Sequence, residues 1–179
     1  EKDNKRQFSK QLNLTEENIM NKFVEKYGQI LLPLVTPYDE NENVDYNAYS
    51  ELIDYLIKND MCDSLIVTGT TGEASLLTFD ERVKLMETAL KASDGRKPVI
   101  AGTGCASTKE TAALTKEAEK LGIETCLIVC PFYNKPTQEG IYNHFRKIAE
   151  STSCNIHALQ YSYFCRSEYG SGNSRDVFD

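Results

Sequence analysis

Ser64-Leu65-Ile66-Val67-Thr68-Gly69-Thr70-Thr71-Gly72-Glu73 passes from a short apolar run into two glycines that bracket adjacent hydroxyls. Ser64–Val67 reads as a buried strand, and a helical pattern begins near Thr78. The stretch is therefore a loop at the carboxyl end of a strand, where α/β proteins place their chemistry. Glycine permits a sharp turn and the close approach of a ligand. Paired Thr hydroxyls with neighbouring backbone amides suit a small carboxylate. The plainer alternative is a tight βα turn in which Thr caps the next helix.

The same alternation extends on both sides. Ile30-Leu31-Leu32-Pro33-Leu34-Val35 is nearly continuous in apolar residues, as is a strand covered on both faces. Asp45 to Asn59 repeats Tyr49, Leu52, Ile53, Leu56 and Ile57 at helical spacing. Thr78-Phe79-Asp80-Glu81 opens a helix with Val83, Met86 and Leu90 on its inner face. Pro98–Gly102 is a third strand; Ser107 or Thr108 caps a helix that Gly122 closes. Thr125–Cys130 is a fourth strand, Thr137 to Glu150 a helix, and Ile156–Tyr161 a fifth strand. Strands alternating with helices imply a parallel sheet, either doubly wound or part of a (β/α)₈ barrel. A complete barrel takes about 250 residues, and this chain has 179.

Composition narrows the classes. With 40% apolar and 26% charged residues, the chain can bury a core. A net charge of −7 without a basic stripe argues against nucleic acid as a partner. Its apolar runs are too short to span a membrane. The 6 cysteines follow neither a disulfide framework nor zinc-ligand spacing, so they read as reduced thiols and no metal is expected. Residues 1–27 form a polar extension, with a helix start at Leu14-Thr15-Glu16-Glu17. No Met opens the chain and no secretory pattern is visible, as expected of a fragment. Cytoplasm is the default compartment, with a plastid as the alternative.

Four stretches come in one family's order and spacing: Leu34-Val35-Thr36-Pro37-Tyr38; Gly69-Thr70-Thr71-Gly72-Glu73; Val99-Ile100-Ala101-Gly102-Thr103-Gly104; and Pro131-Phe132-Tyr133-Asn134-Lys135-Pro136-Thr137-Gln138-Glu139-Gly140. The chain resembles the dihydrodipicolinate synthase / N-acetylneuraminate lyase family, and its last motif resembles the synthase branch. The resemblance implies a (β/α)₈ barrel truncated to its first four βα units plus part of a fifth strand. It also implies condensation of pyruvate with aspartate semialdehyde, on the route to lysine, through a lysine Schiff base. Thr70 would then belong to a proton-relay triad, and Thr71 with its amide would hold the pyruvate carboxylate. Tyr133 matches a triad tyrosine that reaches across a dimer interface. No cofactor is implied. The expected partners are pyruvate, a small aldehyde and further copies of the chain, the family being usually tetrameric.

Beyond Ser151 the match weakens. Tyr161 and Arg166 keep the spacing of the family's third triad tyrosine and substrate-carboxylate arginine, but the proline between them is missing. Residues 28–161 form the expected partial barrel, and 162–179 a divergent tail expected to be disordered. The family's Schiff-base lysine lies on a sixth strand, so the chain by itself is expected to be inactive. Phe79, Ala106 and Phe132 stand where lysine-inhibited members of this branch tend to carry His, Asn and Tyr, while Glu110 is kept; weak lysine inhibition follows. The alternatives are a non-catalytic half barrel that binds a partner, and a sister lyase that pairs pyruvate with another aldehyde.

Overall fold

Strand follows helix along the chain, and the local signals explain where each begins. The computed structural model describes residues 16–159. The order is α1 (Glu16–Tyr27), β1 (Leu31–Pro33), α2 (Tyr46–Lys58), β2 (Ser64–Val67), a short 3₁₀ turn (Ala74–Leu76), α3 (Phe79–Ser93), β3 (Val99–Gly102), α4 (Thr108–Lys120), β4 (Thr125–Val129), α5 (Gln138–Ala149) and β5 (Asn155–Leu159). Asp45, Thr78, Ser107 and Thr137 are the N-caps of α2 to α5, each side chain accepting from amides of the first turn. Thr78 and Glu81 close a reciprocal capping box. Asp94 ends α3 in the left-handed conformation, with φ of 48°.

The five strands form one parallel sheet in the order β1-β2-β3-β4-β5. A doubly wound sheet reverses its strand order at a switch point; this one runs straight through, as a barrel wall does. Register separates the two faces. Leu32, Leu65, Val99, Ala101, Cys126 and Ile128 pack among the helices, together with Tyr49, Ile53, Leu85, Met86, Leu114, Ile141 and Ile148. The intervening row, Pro33-Ile66-Ile100 on β1 to β3 and Leu127-His157 on β4 and β5, lies on the opposite face.

One expectation from the pattern is corrected. The unbroken apolar strands imply that both faces are covered, yet Ile66, Leu127 and Val129 on the second face are only half-buried. That face is the lumen side of a barrel wall, which fills only as further strands curl over it. Met86 is fully buried and Val83 and Leu90 pack partly buried against the core, as the helical spacing implies; Arg82, Leu85, Ala89 and Ser93 are buried beside them. Arg82 joins the buried face by donating to carbonyls at and just beyond the end of β3.

Helix α1 crosses the amino-terminal end of the lumen face. Its Tyr27 is 4% exposed, and the hydroxyl shares a 2.6 Å hydrogen bond with Thr125 Oγ1 at the base of β4. Ser64, the first residue of β2, donates its hydroxyl to the Tyr27 carbonyl. Phe23 lies 4.4 Å from the His157 ring on β5, centroid to centroid. Asp63 then fixes the exit from the helix by accepting from the amides of Gln29 and Ile30, both at 2.8 Å. Gly28 is required at this turn: its φ is +76°, and a Cβ would fall 2.1 Å from Asp63 Cβ.

Candidate active site

The carboxyl ends of the strands carry the predicted residues. Thr70 and Thr71 are exposed on the β2 loop, immediately before Gly72. This loop is a wound turn. The Gly72 and Ala74 amides donate to the Gly69 carbonyl, and the Glu73 amide donates to the Thr70 carbonyl. Thr36, buried after β1, donates its hydroxyl to the Gly72 carbonyl at 2.7 Å. Gly72 packs so closely on β1 that a Cβ there would meet the Leu34 carbonyl oxygen at 2.9 Å. The hydroxyl pair is thus exposed on a loop whose backbone is held from the β1 side.

It is held from the β3 side as well. Thr68 is 2% exposed and sits at φ +52°, an unusual conformation for a β-branched residue. Its hydroxyl donates to the Gly102 carbonyl at 2.9 Å. Gly102 tolerates no side chain, since a Cβ would fall 2.4 Å from the Thr68 carbonyl oxygen. The buried Arg82 guanidinium reaches the same region, donating from Nη2 to Gly102 O at 2.8 Å and to Gly104 O at 3.2 Å. Its Nη1 lies 3.0 Å from Cys105 Sγ. Tyr38 borders the loop; burial, then the carboxylates of Glu73 and Glu81, push its phenol pKa above the ordinary value, so it is protonated at neutral pH.

Tyr133 stands on the loop after β4, at the same rim. It is 88% exposed and its φ is +70°; Lys135, two residues on, is at +47°. A side chain so exposed is not packed against Thr70. Tyr161 and Arg166 lie outside the described residues. Of the sequence-predicted site, then, the structure places Thr70, Thr71 and Tyr133 on the carboxyl rim of β2 and β4. Thr36, Thr68 and Arg82 were not singled out from sequence. Arg82 left a trace there, being the one charge on the 82, 85, 86, 89 stripe; the two threonines lie inside the quoted stretches, but nothing local marked their hydroxyls as braces.

Residues 26–162 match the Dihydrodipicolinate synthetase family. The chain belongs to that family. It is 51% identical over 129 residues to the 4-hydroxy-tetrahydrodipicolinate synthase of Bacillus velezensis, covering 72% of this chain and 44% of that protein. Among solved structures it is similar to the dihydrodipicolinate synthase of Acinetobacter baumannii complexed with pyruvate. The TM-score is 0.72 at 36% identity, covering 75% of this chain and 46% of the other. It is likewise similar to the enzyme of Cyanidioschyzon merolae with lysine bound, with a TM-score of 0.74 at 37% identity, covering 78% and 48%. The chain therefore spans less than half the length of these relatives. Its sheet and helices are the opening portion of a dihydrodipicolinate synthase-type barrel.

Proposed function

We propose that this chain contributes the first five strands of a Schiff-base aldolase that condenses pyruvate with an aldehyde, L-aspartate semialdehyde by family resemblance. The observation that carries this is the exposed Thr70-Thr71 pair on a braced loop at the carboxyl end of β2. Thr71, by its hydroxyl and amide, holds the pyruvate carboxylate. Thr70 passes a proton along a chain of hydroxyls, which moves protons without creating a charged side chain beside the imine. The high exposure of Tyr133 suits a hydroxyl delivered to the Thr70 of a second copy, so the working form is a homo-oligomer. Tyr161 would complete the relay and Arg166 would face a substrate carboxylate.

Pyruvate's carbonyl and a lysine amine lose water to form the imine; loss of a methyl proton then makes that carbon the nucleophile. None of the five described strands carries a lysine. By family resemblance the amine belongs to a further strand of the barrel. No described helix is long and apolar enough to cross a membrane; cytoplasm is the proposed compartment, with a plastid as the alternative. The test is a pyruvate titration of the isotope-labelled chain. The Thr71 and Gly72 amide resonances are expected to shift and saturate. Amides that stay fixed, while other small carboxylates also leave them fixed, would remove this function for the loop.

A further inference from the structure

Thr68 carries a conformation that its chemistry disfavours. A β-branched residue in the left-handed region costs on the order of 1–3 kcal/mol and persists only where its surroundings enforce it. Here they do. The backbone at Thr68 meets β3 so closely that Gly102 has no room for a Cβ, and the Thr68 hydroxyl donates into that contact at 2.9 Å. The acceptor, Gly102 O, is itself held by the Arg82 guanidinium at 2.8 Å, a charge-assisted bond from a residue only 6% exposed. The next residue is Gly69, whose carbonyl accepts from both Gly72 and Ala74. The turn that presents Thr70 and Thr71 therefore starts from a strained residue, and the strain is held against a fixed carbonyl.

We infer that Thr68 is a positioning residue. Its hydroxyl, anchored on the Arg82-held carbonyl of Gly102, sets the direction in which the chain leaves β2 and so fixes the Thr70-Thr71 pair for a carboxylate ligand. The choice of pyruvate as that ligand rests on the function proposed above; the bracing of the loop does not.

The two are separated by experiment. Amide hydrogen exchange on the whole chain compares wild type with Thr68→Ser, Thr68→Val and Thr68→Gly. Valine keeps the shape and loses the donor; glycine relieves the strain and loses the donor; serine keeps the donor. Losing the bond is expected to speed exchange at the Gly72, Glu73 and Ala74 amides about tenfold in the valine and glycine variants, with serine restoring protection. The Leu34 and Leu65 amides, bonded to Ile66 O and Pro98 O, are expected to keep wild-type protection. Equal protection of the loop in Thr68→Val and wild type would overturn the inference. So would a loss that spreads equally to Leu34 and Leu65, because that is general destabilisation. Pyruvate titration of the same four chains then reads the ligand: weaker binding is expected for valine and glycine, and near-wild-type binding for serine. Loosened loops in chains that never bind pyruvate would uphold the brace and sink the pyruvate assignment.

Discussion

Thr71 and Gly102 behave as opposite kinds of residue. Thr71 is exposed and its backbone is held by others, so Thr71→Val is expected to leave thermal stability within about 0.5 kcal/mol. The same change should weaken pyruvate binding, because it removes a donor from the carboxylate site; calorimetry and a melting curve together check both. Gly102 touches no proposed ligand, but its missing side chain permits the closest approach of β2 and β3. Gly102→Ala is expected to cost about 3 kcal/mol in urea unfolding, as an overpacked core position. Phe79, half-exposed in the first turn of α3, and Phe132 offer no side-chain hydrogen-bonding group, and neither does exposed Ala106. A complete barrel built on this chain is expected to keep most of its activity at lysine concentrations that inhibit lysine-sensitive relatives. Half-inhibition at low lysine would contradict that.

At the scale of elements, α1 and α3 depart most from what their composition suggests. The charged segment that contains α1 reads as an extension, yet its Phe23 and Tyr27 lie against β4 and β5, and Lys26 pairs with Glu124. That ion pair is exposed and contributes little; the buried Tyr27 hydroxyl contributes more. Tyr27→Phe is expected to cost about 1–2 kcal/mol, since it leaves the buried Thr125 hydroxyl without this partner. Denaturant melts of the variant check it. The inner face of α3 was legible from its apolar period, whereas the burial of Arg82 on it was not. Periodicity marks a stripe to within a residue or so, and Arg82 joined the stripe only because β3 ends in carbonyls that accept from it. By contrast, the starts of α2, α3 and α5 could be read directly, because a cap is a contact between residues two to three apart in sequence.

For the whole molecule, acid sensitivity follows from one buried and one half-buried imidazole. Burial lowers the pKa of His144, and also that of His157, below the ordinary 6.5. The unfolded chain therefore binds protons more readily than the folded one between 6.5 and the folded values. Their stabilising contribution is complete above about pH 6.5 and is lost as pH falls through the folded pKa values. His144 is 3% exposed and shares its Nδ1 with Thr108 Oγ1 at 2.9 Å, while Nε2 has no partner among the described residues. Replacing it by Gln is expected to flatten the fall in unfolding free energy below pH 6.5; an unchanged slope would exclude His144 as its source. At this scale the chemistry can also be assayed directly. Pyruvate with borohydride, read by intact mass, is expected to leave no stoichiometric adduct on the 179-residue chain. An adduct on Lys135 would mean that the rim lysine serves as the amine.

The sequence by itself determined the alternation of elements, the family and the rim position of Thr70, Thr71 and Tyr133. All of these rest on short-range signals: apolar period, caps within one turn, and motifs a few residues long. Tertiary structure alone decided that the strands run in unbroken order, that the lumen face is only partly covered, and that α1 lies across its base. It also decided that Thr68 and Arg82 meet on one carbonyl. Those contacts join residues 20 to 98 positions apart. No local preference records such a meeting, which exists only once the chain has packed.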